Sequence, residues 1–196
     1  QPLVMLAGEL HNSSSSSLAH MAPIWSRLAA LNLNTVIASI SWELVEPEEG
    51  RFDFTLVDGL IKDARRHNFK LVFIWFATWK NACSFYAPDY IRLDDVTYPA
   101  ALDRDGKAMI SKCYNGESTW VRDRNALVKM MEHIKQVDDQ HTIIMVQVEN
   151  EYGSYGNDKE YLRHLADGMK ARGIDSFLFT SDGPRDGCLQ GGTLPD

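Results

Sequence analysis

The 196-residue chain is 44% hydrophobic and 24% charged, ordinary values for a globular protein able to bury a sizeable core. Its formal charge of -7, with Lys and Arg scattered, leaves no basic stripe to track phosphates, so nucleic acid is not an expected partner. No apolar run approaches the roughly 18 residues of a bilayer-spanning helix, so no membrane partner is expected either.

Three cysteines, Cys83, Cys113 and Cys188, show no CxxC pair and no His spacing for structural zinc, and no disulfide is expected. Gln1 stands where a start Met would, which reads as removal of the true start by processing or truncation. Asn12-Ser13-Ser14 matches a glycosylation sequon, and a secreted or periplasmic location is the expectation.

Strand and helix signals alternate along the chain. The apolar run Leu3–Ala7 reads as a first strand, ending in Gly8-Glu9-Leu10-His11. The serines Ser13 to Ser17 form a polar loop, with Ser17 a candidate helix cap. Met21, Ile24, Trp25, Leu28 and Leu31 then recur at helical spacing, and Pro23 is tolerable there only in a first turn. Asn34 to Trp42 is β-branched and apolar, a second strand, and Glu46-Pro47-Glu48-Glu49-Gly50 is a turn.

Thr55-Leu56-Val57-Asp58 looks like a capping box, with Leu56, Leu60, Ile61 and Ala64 as the apolar face of a second helix. Lys70 to Trp79 is a third strand. The aromatic-rich connection from Lys80 to about Trp120 is long enough to be functional or to hide further elements. A helix over Arg122–Val137, a strand over His141–Glu149, a helix over Asp158–Ala171 and a strand over Ser176–Ser181 complete the pattern. The Gly-rich remainder reads as loop.

Five strands separated by four helices imply a parallel sheet. The first strand is not followed by a Gly-rich phosphate turn, which argues against a dinucleotide fold. The pattern favours an α/β fold of the (β/α)8 TIM-barrel type. Residues 1–196 form its N-terminal portion, about five of eight strands. The remainder of the barrel is expected from another segment or another chain.

Period-two alternation puts Ile143, Met145, Gln147, Glu149 and Glu151 on one face of the fourth strand and the apolar Ile144, Val146 and Val148 on the other. The first set turns polar toward the C-terminal end, where barrel active sites are built. Carboxylates there can simply face solvent, but ones that follow a buried strand on its interior face are costly unless used. Residues two apart on a strand lie roughly 7 Å apart, within the range of inverting glycosidases. Glu149 and Glu151 nevertheless leave the strand in the same direction, so they do not flank a scissile bond, and a second carboxylate must come from elsewhere.

Other strand ends offer Glu9 and His11, Trp42 and Glu43, Trp75 and Trp79, and Ser181 and Asp182. Trp42 and Trp79 are candidate platforms for sugar C–H faces, weighed against ordinary core. His11 is read as a substrate contact, against the commoner hydrogen-bonded structural role. Asp182 before Gly183 is equally a turn former.

The run Val146-Gln147-Val148-Glu149-Asn150-Glu151-Tyr152-Gly153-Ser154-Tyr155 resembles the acid/base segment of glycoside hydrolase family 35, the β-galactosidases. Gly8-Glu9-Leu10-His11, Trp42-Glu43-Leu44-Val45-Glu46-Pro47 and Thr180-Ser181-Asp182-Gly183 are similar to the family's first, second and fifth strand motifs. The resemblance implies a retaining enzyme in which Glu151 is the general acid/base. It also implies that Asn150 bonds the sugar's 2-hydroxyl and that Glu149 lines the sugar pocket. Such an acid must stay protonated until the leaving oxygen needs it.

Two departures concern the sugar contacts. Many members carry a Tyr where this chain has Ser39, and an Ala-Glu pair where it reads Thr78-Trp79-Lys80-Asn81-Ala82. The Gly-Glu-Leu-His-Asn and Ser-Trp-Glu-Leu runs fit a bacterial subgroup acting on galactosides, including plant-polysaccharide side chains. The family's nucleophile, a Glu after the seventh strand, is expected outside these residues. No cofactor or metal is expected. The alternatives are another retaining β-glycosidase of the same clan, an inactive carbohydrate-binding fragment, and a metal-assisted enzyme in which Glu149, Glu151, Asp182 and His11 ring a divalent ion.

Overall fold

The computed structural model describes residues 3–78, 85–102, 105–114, 116–154, 156–174 and 177–192. Five parallel strands form one sheet: β1 (Ala7–Glu9), β2 (Thr35–Ser41), β3 (Lys70–Phe76), β6 (Ile143–Asn150) and β7 (Phe177–Ser181), in the spatial order β1-β2-β3-β6-β7. Helices α1 (Leu18–Ala30), α3 (Thr55–Arg66), α5 (Glu117–Val137) and α6 (Lys159–Lys170) cross between successive strands. The sheet order follows chain order, as in the first part of a (β/α)8 barrel.

The helices start where local side chains can cap them. Ser17 accepts from His20 N at α1, and Asp158 accepts from Glu160 N and Tyr161 N at α6. At α3 the expected box at Thr55 does not form; Asp53 Oδ1 instead takes the Thr55 N–H at 2.8 Å. Pro23 sits inside α1 rather than in its first turn. Its ring removes a bond to the Ala19 carbonyl, but Ala19 and Pro23 are both on the exposed face, where water can take that carbonyl.

The first strand is displaced from its expected position. Leu3–Leu6 are exposed, and β1 begins at Ala7. The Asn34 side chain explains this: Oδ1 accepts from Leu6 N and Nδ2 donates to Val4 O, replacing sheet bonds there. The long connection holds hidden elements, namely a turn of helix α4 (Asp89–Arg92) and an antiparallel hairpin of β4 (Ala100–Leu102) and β5 (Ala108–Lys112). The Gly-rich tail, expected as loop, forms α7 (Asp186–Gly192). No helix among the described residues is long and apolar enough to cross a membrane.

The core lies between sheet and helices. Val36, Ala38 and Ile40 of β2, Leu71, Phe73 and Trp75 of β3, and Val146 and Val148 of β6 pack with Trp25, Leu60, Leu127 and Met130 from the helices. The opposite face carries the alternate residues, Ser39 and Ser41 on β2, Ile74 and Phe76 on β3, and Met145 and Gln147 on β6. That interior face turns polar toward the C-terminal ends of β2 and β6.

Candidate active site at the strand ends

β6 is irregular on both sides. Its pairing with β3 shifts between Leu71 and Val72, and its pairing with β7 shifts between Gln147 and Glu149. Each shift places one extra residue in β6 and breaks the period of two. Ile143 therefore joins Val146 and Val148 on the helical side. After the second shift, Glu149 pairs with Thr180 and Asn150 with Ser181. Asn150 Oδ1 accepts from Gln147 Nε2 at 2.7 Å, so these two residues share the interior face.

Glu149 turns the other way, contrary to the expected alternation. Its carboxylate is 2% exposed and accepts from the Tyr161 hydroxyl of α6 at 2.5 Å and from Asn150 N at 2.8 Å. The Asp158 cap sets this up, because it places Tyr161 in the first turn of α6 beside the end of β6. Burial, and then the neighbouring Glu149 charge, push the Tyr161 hydroxyl well above the usual tyrosine range, so it stays a donor. Glu149 is thus a buried support behind the strand end and does not line a pocket as expected.

Glu151 follows directly and is half-buried. Its φ of 55° lies in the left-handed region, which costs a residue with a side chain on the order of 1 kcal/mol or more. Such a conformation persists only where its surroundings enforce it. Glu151 N donates to Ser181 O at 2.6 Å, Ser154 N donates to Glu151 O at 3.0 Å, and Gly153 N donates to Asp182 Oδ1 at 2.5 Å. The 3-10 turn Tyr152–Ser154 is further anchored by the buried Tyr152 ring, whose hydroxyl accepts from Asp158 N.

The backbone of α7 rests on this turn. A Cβ on Gly153 would stand 1.8 Å from Cys188 O, and one on Gly192 would stand 1.6 Å from Asp182 Oδ2, so only glycine permits the approach. The Lys159 ammonium holds the end of α7 by donating to Gln190 O and Gly191 O. Burial pushes the Asp182 carboxyl above the ordinary aspartate range against the pull of the Gly153 N–H; Glu149 and Glu151 add to the rise and Lys159 opposes it.

The other expected site residues divide. His11 is exposed beyond the end of β1, its carbonyl accepting from Ser14 N. Trp42 is not a platform: it is 0% exposed, because the chain turns at Ser41 into the short helix α2 (Trp42–Val45). There its indole N–H reaches Glu46 Oε2 at 2.9 Å and its ring meets the edge of Tyr90. Trp79 lies outside the described residues. Ser39 is committed to the Ser-rich loop, its hydroxyl donating to Asn12 O and its carbonyl accepting from Ser15. Among the described residues no three His, Cys, Asp or Glu side chains are grouped to hold a metal ion. Cys188 is a free thiol, and Cys83 is not among the described residues.

The family model for glycosyl hydrolases family 35 matches residues 117–196, the segment that carries Glu149, Asn150, Glu151 and Asp182. Over the whole chain the sequence is 32% identical to a β-galactosidase of Xanthomonas manihotis across 209 aligned positions, 31% of that protein's length. The chain belongs to glycosyl hydrolases family 35. This family 35 chain is also 30% identical to human β-galactosidase-1-like protein 3 over 81% of its own length and 23% of the relative's. It spans less than a third of either relative.

Among solved structures, an exo-β-1,4-mannosidase from Opitutaceae bacterium strain TAV5 superposes with a TM-score of 0.65, covering 89% of this chain and 31% of that one at 14% identity. The likeness is one of fold, the (β/α)8 barrel of which this family 35 chain carries five strands.

One participant was not legible as a site residue. Tyr161 reads in the sequence as one more inward position of an amphipathic helix. Its signal is the Asp158 cap three residues earlier, which fixes it in the first turn. Asp182, equally a strand-end group and a turn former in the sequence, reaches Gly153, 29 residues away, with its carboxylate.

Proposed function

We propose that this chain supplies the acid/base half of a retaining β-galactosidase, with Glu151 as the general acid and base. The reading is carried by one observation: Glu151 is held in a left-handed conformation at the C-terminal end of a barrel strand, next to an inward-facing Asn150. Strained backbone of this kind clusters at active sites, and that end of the barrel is where they are built.

In this reading Glu151 gives its proton to the glycosidic oxygen as the bond to the sugar carbon breaks. The sugar passes to a carboxylate on a strand beyond these five. Glu151, now ionised, takes a proton from the water that releases it. In the same reading Asn150 bonds the 2-hydroxyl, a contact that strengthens toward the transition state. The β-galactosidase names of the sequence relatives support galactose as the sugar.

The test is Glu151→Gln in the full-length enzyme. Loss of general-acid help costs about 10²–10⁴-fold on substrates with poor leaving groups. The glycosylation burst with a dinitrophenyl glycoside should be nearly preserved, since that leaving group needs no proton. Wild-type rates on both kinds remove Glu151 from the role. A panel of aryl glycosides reads the sugar, with the galactoside expected to be fastest.

A further inference from the structure

We infer that Asp182 is a positioning residue for Glu151: its carboxylate and the preceding Ser181 carbonyl are two consecutive acceptors, on one strand end, that hold the left-handed turn of the acid. This rests on the reading of Glu151 as the general acid. Ser181 O takes the Glu151 N–H at 2.6 Å and Asp182 Oδ1 takes the Gly153 N–H at 2.5 Å. The two bonds bracket the residue whose φ is 55°. Without the second, the turn has lost the side-chain peg that fixes where its far end sits.

The local alternative, a turn-forming Asp-Gly pair, fits less well. Gly183 is not among the glycines with positive φ, and the Asp182 carboxylate bonds across the sheet to the β6 end. The packing of α7 serves the same contact. Gly192 lets the helix backbone lie against Asp182 Oδ2, and Lys159 fastens that end of α7. The carboxylate is therefore enclosed between the acid turn and α7, with Glu149 and Glu151 as like charges nearby. Burial first, and then these like charges, raise its proton affinity.

The experiment uses the full-length enzyme and a series of aryl galactosides that differ in leaving-group acidity. Asp182→Asn keeps an acceptor oxygen in place without the charge. Asp182→Glu keeps the charge but moves the acceptor by about one methylene, and Asp182→Ala removes it.

A misplaced acid costs about a hundredfold in kcat/KM on poor leaving groups, the ratio that reports the glycosylation step. D182E and D182A should show that loss, little loss in kcat/KM on dinitrophenyl substrates, and a steeper dependence of kcat/KM on leaving group. D182N should restore the wild-type slope. Either of D182E and D182A suffices if the other does not fold.

Equal losses in kcat/KM on good and poor leaving groups, wild-type slopes in D182E or D182A, or a D182N as impaired as they are would overturn the inference. Glu151→Gln separates this from failure of the underlying reading. If that variant is leaving-group dependent and D182E and D182A are not, only the role of Asp182 is lost.

Discussion

Replacing Tyr161 by Phe removes one hydroxyl from a site where Glu149 is 2% exposed, and the ring still fills its space among Tyr114, Tyr152 and Leu162. No cavity opens, so the cost is the hydrogen bond alone. That bond is a 2.5 Å contact from a hydroxyl to a buried carboxylate. A hydrogen bond to a charged group contributes about 1.5–3 kcal/mol, and the Asn150 N–H that Glu149 keeps holds the loss to the lower part of that range.

A loss of about 2 kcal/mol lowers the unfolding temperature of a domain of about 200 residues by about 4–8 °C, and that of the larger complete barrel by about half as much. Thermal and urea unfolding of the full-length protein should show it, unchanged between pH 6 and 9, because burial keeps the Tyr161 hydroxyl protonated throughout. A double-mutant cycle with Glu149→Gln isolates the pair, with a coupling of about 1–2 kcal/mol expected. A Tyr161→Phe variant within about 0.5 kcal/mol of wild type, or strict additivity in the cycle, would refute the claim that Glu149 is held from behind by α6.

Trp42→Phe should cost about 1–3 kcal/mol by leaving the buried Glu46 carboxylate without its indole donor, with KM unaltered; a raised KM at unchanged unfolding midpoint would restore a platform role. Asp138 is the other buried carboxylate with a legible pH signature. Burial raises its proton affinity, but bonds from Ile143 N, Thr142 N and Arg65 outweigh that and hold its carboxyl below the usual aspartate range. A depressed folded-state value means stability that is present above the unfolded value of about 3.9 and lost as pH falls through the folded one. Asp138→Asn should therefore flatten the acid side of the stability profile; an unchanged slope below pH 5 would contradict it.

What could be read without coordinates was local or periodic. Ser17 and Asp158 announce helix starts because a cap bonds backbone two or three residues ahead, within one turn of chain. Apolar runs over β2 and β3 mark strands covered on both faces, since a parallel sheet buries both sides. The Glu149-Asn150-Glu151 run at a strand end signals chemistry because charge there is expensive.

The misses have one cause. Whether β6 takes an extra residue depends on how it pairs with β3 on one side and β7 on the other, and that pairing moves Glu149 from the interior face to Tyr161. Trp42 changes from platform to core because the chain enters α2 there and Glu46 waits one turn on. Asp182 meets Gly153 across 29 residues, and α7 settles on the turn through close backbone approach at glycines whose own propensity is poor. By itself the sequence determined the parallel α/β frame and the strand end that carries the carboxylates, for propensity and capping act over about four residues. Which carboxylate supports from behind and which pins the turn were left to the tertiary structure, because those contacts exist only once strands distant in sequence have taken their register.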